Sequence, residues 1–271
     1  MENLQNLHTH TIYCDGKDTP EEMILHALQK GFSSVGFSGH SYMFFSPTHS
    51  MSLEGTEEYK REILRLKKKY ENEIKVYLGL EVEYFSEVEL TGYEYLIGSL
   101  HYFRIDGEYV GFDRSAQMVK EVIDRHFGGD GLAFAKKYYQ TIAELPTKCD
   151  FDILGHFDLI TKNCDNIFLF DPESKEYNAV AIEAIGALRG RIPFFEVNTG
   201  AIARGYRKTP YPSLTLLKEF KRQGFGAVIS SDCHDGNMLD CAFDDSRELL
   251  RAAGFNERYV LTDNGFSAVA L

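Results

Sequence analysis

Seven short apolar segments with the character of β-strands alternate along the chain with segments of helical periodicity, and this alternation restricts the fold more than any other feature. The strand-like segments cover residues 4–8, 34–40, 76–83, 95–101, 153–156, 194–198 and 226–232. Helices are predicted over residues 20–30, 54–73, 115–127, 131–145, 172–189, 213–223 and 245–253. Such alternation is typical of an α/β domain. A further short run at residues 259–261 is predicted to be an eighth strand or an edge.

The number of strand–helix units bears on the kind of α/β fold. Seven units fit a (β/α) barrel better than an open sheet, although periodicity alone does not separate the two. No segment rich in Pro, Gly and Ser interrupts the pattern, and the composition does not change abruptly. Residues 1–271 are therefore predicted to form a single domain.

Charge and composition exclude several classes of protein. The chain has 41 acidic and 29 basic residues and a formal net charge of −12, which argues against a nucleic-acid partner or an anionic membrane surface. It has no run of 18 apolar residues and no N-terminal secretory pattern, so no membrane span or leader is expected. Its five cysteines form no CxxC motif, which indicates reduced thiols and a cytoplasmic location. No pattern indicates an oligomeric state.

Histidine and acidic residues recur where the strand-like segments end. Since the carboxyl ends of parallel barrel strands share one face, these side chains are expected to meet in one basin. Six of the nine histidines belong to this set, and His26, His49 and His126 are predicted to be surface residues. The metal-ligand candidates in the set are His8, His10, Asp15, His40, Glu81, His101, His156, Asp232 and His234.

The spacing within this set is that of metal ligands. Residues i and i+2 of a strand project to the same side, so His8 and His10 can hold one cation, and Asp232 and His234 repeat that spacing. A carboxylate such as Glu81 can bridge two cations. Imidazole and carboxylate ligands favour Zn, Mn or Fe. Burying so many titratable groups without a cation would be costly, and the sequence therefore predicts a metal centre.

The same stretches resemble the motifs of the PHP (polymerase and histidinol phosphatase) superfamily. The resemblance is carried by HTHTIYCDG, GFSGH, GLEVEY, GSLHYF, GHFDLI, EVNTG and SSDCH. Within the superfamily, the chain length and the segments GHFDLITKN and EVNTGAIARGYRKTPYPS are most similar to the stand-alone phosphatases of the HisK type. The resemblance implies a distorted (β/α)7 TIM-like barrel that holds three divalent metal ions, of Zn or alternatively Mn or Fe.

The resemblance also implies which residues share each ion. The first ion would be held by His8, His10, Glu81 and Asp232. Glu81 would bridge to a second ion, held also by His101 and His156. The third ion would be held by Asp15, His40 and His234.

The activity implied is hydrolysis of L-histidinol phosphate to L-histidinol and phosphate, a step of histidine biosynthesis. The nucleophile would be a metal-bridging hydroxide that attacks phosphorus. Asp232 is a candidate for the acid that protonates the leaving alkoxide. Two alternatives stay open: a phosphoesterase for another small phosphate ester or nucleotide, and a non-catalytic metal-binding module. The second is the weaker, because a candidate ligand is present at each of the nine positions.

Recognition of the substrate is less well defined by the sequence. A phosphate group requires cationic side chains, and the candidates are Arg204 first, then Lys162 and Arg207. Asp113, Glu196 or Asp158 could face the amine and imidazole of the substrate, while Glu196 or Asp158 could equally orient a ligating histidine. Asn198 could bind substrate or brace the rim of the barrel.

Overall fold

A parallel sheet of seven strands forms the centre of the protein in a computed structural model that describes residues 3–271. The strands of the described chain are β1 (Gln5–Asn6), β2 (Ser34–Phe37), β3 (Lys75–Glu83), β4 (Tyr95–Ser99), β5 (Tyr102–Ile105), β6 (Glu108–Gly111), β7 (Ile153–Leu154), β8 (Phe194–Asn198), β9 (Gly226–Ser230), β10 (Glu257–Thr262) and β11 (Gly265–Ala270). The sheet has the order β1-β2-β3-β4-β7-β8-β9, and every neighbouring pair in it is parallel.

The first and last strands of this sheet meet just beyond their ends. Thr9 forms a parallel bridge with Cys233. The His10 amide donates to the Cys233 carbonyl over 2.8 Å, and the Cys233 amide donates to the His8 carbonyl over 3.0 Å. These bonds close the sheet into a distorted (β/α)7 TIM-like barrel, as the sequence predicts.

The predicted helices are confirmed, with ends that shift by a few residues. They are α1 (Pro20–Gln29), α2 (Leu53–Lys69), α3 (Ala116–Phe127), α4 (Gly131–Glu144), α5 (Lys175–Leu188), α7 (Leu214–Gln223) and α8 (Phe243–Ala252), while a short α6 (Gly200–Ala203) was not predicted. Caps explain some boundaries: α5 begins after Ser174, whose side chain accepts from the Tyr177 amide. No helix in residues 3–271 is long and apolar enough to cross a membrane.

The strands are mostly shorter than the predicted segments. The last residues of four segments, His8, His40, His101 and His156, lie beyond β1, β2, β4 and β7. Their alternation still resembles a strand, but the chain has left the regular ladder there and turned into the loops of the barrel rim. The prediction therefore overextended these strands at the end that carries the polar side chains.

Two antiparallel hairpins also differ from the prediction. Strands β5 and β6 pair with each other through a turn at Asp106 and Gly107, with φ of 51° and 88°, which suits a type I′ turn. Residues 259–261 are not an eighth barrel strand, because they lie within β10, whose one partner strand within residues 3–271 is β11. The Gln5 side chain bonds the Leu261 amide and carbonyl over 2.7 and 2.8 Å and so attaches this hairpin to the barrel.

A small apolar cluster lies under the polar rim. It includes Tyr77, Tyr95, Ile97, Ile153 and Val228, from four strands of the sheet. Tyr77 and Glu81 are four residues apart on β3, so their side chains project to the same face of the strand. A solid apolar layer thus supports the polar groups from below.

Candidate metal centre

All nine residues predicted to ligate metal lie in one basin at the carboxyl end of the barrel. Glu81 lies on β3, and the other eight lie in the loops that follow β1, β2, β4, β7 and β9. Four groups bring their potential ligand atoms within 4.8 Å of one another: His10, Asp15, His40 and His234; His8, Glu81 and His156; His8, His10 and Asp232; His40, Glu81 and His101.

Glu81 belongs to two of these groups and lies close to four of the histidines. Its Oε1 lies 2.9 Å from His156 Nε2 and 3.6 Å from His101 Nε2. Its Oε2 lies 2.7 Å from His40 Nδ1 and 3.4 Å from His8 Nε2. One carboxylate thus contacts imidazoles from several strands, as a bridging ligand must.

The basin contains buried polar atoms that no group of the protein satisfies. Within residues 3–271, His8 Nε2, His10 Nε2, Asp15 Oδ1 and Glu81 Oε2 are buried and lack a hydrogen-bond partner. Unsatisfied buried groups are costly, and several converging on one basin indicate a binding site for cations. Neutral imidazole and carboxylate are the ligands that divalent transition metals prefer, so the residues present fit such ions.

The electrostatics of the basin also suit cations. Burial alone would raise the pKa of Glu81, but His40, His8 and His101 outweigh burial and hold the pKa well below its usual range. Burial, together with His234 and His40, lowers the pKa of His10 to about 3. The basin therefore offers an ionised carboxylate beside an imidazole that is neutral at physiological pH.

Two histidines of the basin are oriented by buried carboxylates behind them. Glu196 Oε2 accepts from His8 Nδ1, and Glu83 Oε2 accepts from His101 Nδ1, each over 2.9 Å. These bonds place the proton on Nδ1 and leave Nε2 free to face a metal. The sequence left the role of Glu196 open and did not single out Glu83, although Glu81 and Glu83 share a strand face by their spacing.

Asn198 lies beside Glu196 and has no exposed surface. Its side-chain amide donates to Glu196 Oε1 over 2.7 Å, and its Oδ1 accepts from the Gly200 amide over 2.8 Å. Both ends of the side chain are therefore used within the protein. Of the two roles that the sequence left open, bracing the rim is the one that these bonds perform.

Arg204 is the predicted phosphate-binding residue that reaches the basin directly. Its Nη2 donates to Asp232 Oδ2 over 2.9 Å, and its Nη1 donates to the Asp232 carbonyl over 3.2 Å and lies 3.1 Å from His234 Nδ1. The close contact between Arg204 and Asp232 requires a glycine at position 200, because a Cβ there would lie 2.9 Å from Asp232 Oδ2. Asp232 has a φ of 48°, an uncommon conformation for a residue with a side chain.

Lys162 and Asp113 form an ion pair at the edge of the basin. Asp113 lines a cleft together with Asp15, His40 and His101. Arg207 instead donates to Thr161, outside the groups that share Glu81. Lys162 therefore reaches the site as a paired cation, and Arg207 has no contact with the basin residues.

Asp158 does not face the basin. Its Oδ1 accepts from the hydroxyls of Tyr139, over 2.8 Å, and Tyr177, and its Oδ2 accepts from the Ser213 amide over 3.4 Å. Burial raises its pKa. It is a structural carboxylate enclosed by tyrosines, and neither substrate recognition nor orientation of a histidine follows from these contacts.

The expectation that His49 is a surface bystander is wrong. His49 and Arg114 line the cleft beside Asp15, His40 and His101. Arg114 donates to His49 Nε2 over 3.0 Å and to the Tyr102 hydroxyl over 3.2 Å. Both residues lie in loops, and only the position of the His49 loop directly after β2 pointed to this face of the barrel.

Comparison with known proteins assigns the family. The model of the PHP domain matches residues 6–200, and the chain belongs to this family. The histidinol-phosphatase of Bacillus subtilis is 29% identical over 262 residues, which are 88% of this chain and 96% of that protein. The histidinol-phosphatase of Lactococcus lactis is 24% identical over 264 residues, which are 93% of this chain and 91% of that protein.

A solved structure shows the same fold. It is that of histidinol phosphate phosphatase (HISK) from Lactococcus lactis, complexed with Zn, L-histidinol and phosphate. The similarity covers 98% of this chain and 99% of that one, with a TM-score of 0.73 and 19% sequence identity. The barrel is thus shared over its full length, including the strands beyond residue 200.

Proposed function

We propose that this protein is a metal-dependent histidinol-phosphatase, which hydrolyses L-histidinol phosphate to L-histidinol and phosphate in histidine biosynthesis. The observation that carries the chemical class is the Glu81-centred group of imidazoles and carboxylates with unsatisfied ligand atoms. The substrate is supported by relatives named histidinol-phosphatase that match nearly the full length of the chain.

We infer that the nine residues hold three divalent ions, with Zn as the first choice and Mn or Fe as alternatives. Two ligand atoms about 2.1 Å from a tetrahedral ion lie roughly 3.4 Å apart. For the first ion, Asp232 Oδ1 lies 3.2 Å from His10 Nε2 and 3.8 Å from His8 Nε2.

The remaining two ions have similar support. For the second ion, His101 Nε2 and His156 Nε2 are 3.1 Å apart, and each lies within 3.6 Å of Glu81 Oε1. For the third, Asp15 Oδ1 lies 3.3 Å from His234 Nε2 and 3.6 Å from His40 Nε2. These separations are those expected of ligand atoms around a common ion.

Divalent ions bound here would activate a water for attack on phosphorus and neutralise charge on the phosphoryl oxygens. Arg204 would bind a phosphoryl oxygen with the N–H groups that do not contact Asp232. Burial alone would raise the pKa of Asp232, but Arg204 and His8 outweigh burial and hold the pKa well below its usual range. Asp232 is therefore ionised, which suits a metal ligand that also positions Arg204 better than it suits a proton donor.

Recognition of the rest of the substrate is assigned to the cleft beside Asp15 and His40. Asp113 lines it and is ionised, since Lys162 outweighs burial and holds the pKa of this carboxyl well below its usual range. We propose that Asp113 faces the amine of the substrate. Lys162, its ion-pair partner, partly neutralises the charge of this carboxylate. Arg207 and Asn198 are given supporting roles, because neither side chain opens to the cleft.

The direct test is phosphate release by the metal-reconstituted protein from L-histidinol phosphate, AMP, sugar phosphates and p-nitrophenyl phosphate. We expect L-histidinol phosphate to have the highest kcat/KM. Equal or faster turnover of AMP would overturn the substrate assignment and favour a nucleotide phosphoesterase. A His101→Ala variant is the control for background phosphatase, because it removes a ligand while the core stays intact.

Three wider expectations belong to the same proposal. Residues 1–271 are expected to behave as one domain, since apolar residues from α1 to α8 pack in one continuous cluster. A cytoplasmic location is supported by five cysteines that form no disulfide. A small phosphate monoester is the expected partner, rather than a nucleic acid or a membrane.

A further inference from the structure

A second cavity, of about 630 Å³, lies against the support of the metal basin rather than in the basin itself. Its lining includes Glu83, Tyr84, Phe85, Arg104, Tyr109 and Lys148, and none of the nine predicted metal ligands. His101 connects the two regions, because its Nε2 faces Glu81 while its Nδ1 donates to Glu83. A volume of several hundred Å³ is that of a typical small-molecule site.

The lining contains a buried anion with an unused acceptor. Glu83 is 2% exposed, and its Oε2 accepts from both the amide and Nδ1 of His101 over 2.9 Å. Its Oε1 is buried and has no hydrogen-bond partner within residues 3–271. An unpaired buried carboxylate oxygen is costly, and a cationic N–H donor is the group that best satisfies it.

The same cavity presents cations at its exposed side. Arg104 and Lys148 are both exposed and stack near aromatic rings of the lining, at 5.7 Å from the Tyr109 centroid and 4.8 Å from the Tyr84 centroid. Neither forms an ion pair with a carboxylate of residues 3–271. Glu87 also lines the exposed side, so the cations are not a uniformly basic patch.

We propose that this cavity binds a zwitterionic α-amino acid. The ammonium group bonds Glu83 Oε1, the carboxylate lies between Arg104 and Lys148, and the side chain packs on Tyr84, Phe85 and Tyr109. The buried anion selects the amine, and the exposed cations select the carboxylate. A molecule with only one of these charges leaves either Glu83 Oε1 or the two cations unpaired.

Binding in this cavity reaches the metal basin through a single residue. An ammonium group on Glu83 withdraws charge from the carboxylate that accepts from His101, which makes the imidazole a weaker ligand. By thermodynamic linkage, bound metal must weaken amino-acid binding by the same factor. The coupling rests on the proposed metal centre, whereas the binding site itself does not.

Binding is tested first on the full-length, metal-free protein. The midpoint of thermal unfolding is measured with each proteinogenic L-α-amino acid, and the most effective one is then titrated by calorimetry. Its decarboxylated amine and its deaminated acid serve as matched probes, and each is expected to bind at least about tenfold more weakly for loss of one charge-assisted contact. Absence of any stabilising amino acid, or equal affinity of either probe, would overturn the proposal.

Substitutions then locate the site. Glu83→Gln keeps an acceptor for His101 but removes the charge, and it is expected to abolish amino-acid binding. Arg104→Gln and Lys148→Met are expected to weaken binding while leaving phosphatase activity unchanged. Glu196→Gln is the matched control, because Glu196 supports His8 as Glu83 supports His101 but does not line the cavity. Equal loss in Glu196→Gln, or full binding by Glu83→Gln, would contradict this location.

The coupling is measured by comparing amino-acid affinity in the metal-free and metal-loaded proteins. We expect metal to lower it by about two- to tenfold, less than the 10–100-fold cost of deleting such a supporting carboxylate. Equal affinities would overturn the coupling. A protein that binds the amino acid but does not hydrolyse L-histidinol phosphate would reject the proposed substrate and leave this site intact.

Discussion

Glu81 and Asp158 are both carboxylates with 1% exposure, yet their surroundings differ completely. Asp158 accepts from two tyrosine hydroxyls and a backbone amide, so its oxygens are satisfied by the protein. Glu81 is surrounded by imidazoles, and its Oε2, although 2.7 Å from His40 Nδ1, makes no contact with the geometry of a hydrogen bond. A buried carboxylate therefore indicates a ligand-binding site only when the protein leaves one of its oxygens without a hydrogen bond.

The two pKa shifts express the same contrast. Burial raises the pKa of Asp158, whereas the imidazoles around Glu81 hold its pKa well below the usual range. Asp158 can therefore be neutralised at little cost to the site, while Glu81 must stay charged. Matched substitutions at the two positions are therefore expected to have opposite signatures in activity and stability.

The largest effect is expected for Glu81→Gln. The variant keeps the shape of the side chain but loses the charge shared between ions, so phosphate release from L-histidinol phosphate is expected to fall to background. Metal analysis of the purified protein should show fewer bound ions per chain. Near-normal activity with a full complement of metal would show that Glu81 is not a shared ligand.

A smaller effect is expected for Glu196, which orients the predicted ligand His8 and is not itself a predicted ligand. Glu196→Gln weakens the acceptor behind His8, and loss of such support typically lowers metal affinity by about 10–100-fold. Competition with a chelator measures this affinity directly. Activity restored by excess metal would identify Glu196 as a positioning residue, while a loss that metal cannot restore would contradict that role.

The pH dependence of metal binding gives a third test. Burial alone would lower the pKa values of His8 and His40, but nearby carboxylates outweigh burial and raise both well above 6.5 in the metal-free protein. Both imidazoles then hold protons near neutral pH, and an incoming metal must displace them. Affinity should rise by about tenfold per pH unit for each proton released.

The sign of this linkage also concerns stability. A raised histidine pKa stabilises the metal-free fold below about pH 6.5. This contribution declines as the pH rises through the raised pKa, whereas the metal-loaded protein gains from tighter binding over the same range. Calorimetry in two buffers of different protonation enthalpy counts the protons released. Binding without proton release would contradict the raised pKa values.

The smallest effect on the metal centre is expected for Asp158→Asn. The side-chain NH2 of the new asparagine faces the Ser213 N–H, so two donors meet and a hydrogen bond is lost. The free energy of unfolding should therefore fall by about 1–3 kcal/mol. Metal content and kcat/KM should remain close to those of the unaltered protein. Urea denaturation measures the first quantity, and a loss of metal would erase the distinction between the two carboxylates.

The metal basin was largely predictable from the sequence because strand ends and the i, i+2 spacing depend on local periodicity. His8, His10 and Asp232 could be named without knowing the barrel, since any parallel arrangement brings strand ends together. Glu83 follows the same rule but was missed, because its role depends on which face of His101 it contacts. His49 and Arg114 depend on how two loops fold over the rim, which periodicity does not encode.

The two antiparallel hairpins were not predicted, although the sequence contains local signals for both. Asp106 and Gly107 between β5 and β6 form a dipeptide that strongly favours a tight turn, so the signal was present in the sequence. Residues 102–111 nevertheless fall between the predicted strand that ends at residue 101 and the predicted helix that begins at residue 115, and neither element covers them. Residues 259–261 of β10 are predicted to be strand-like. Their pairing with β11 rather than with the barrel depends on tertiary contacts, which local periodicity does not determine.

The bridge between Thr9 and Cys233 has a consequence for how the enzyme is made. His10 and Asp232 come from distant parts of the chain, so the ion that we propose they share cannot be enclosed until the last barrel strand has been synthesised and docked. Closing so long a loop is entropically unfavourable and slow compared with local helix formation. A nascent chain on the ribosome would thus carry half of its ligands unprotected, and metal capture should coincide with completion of the barrel rather than precede it.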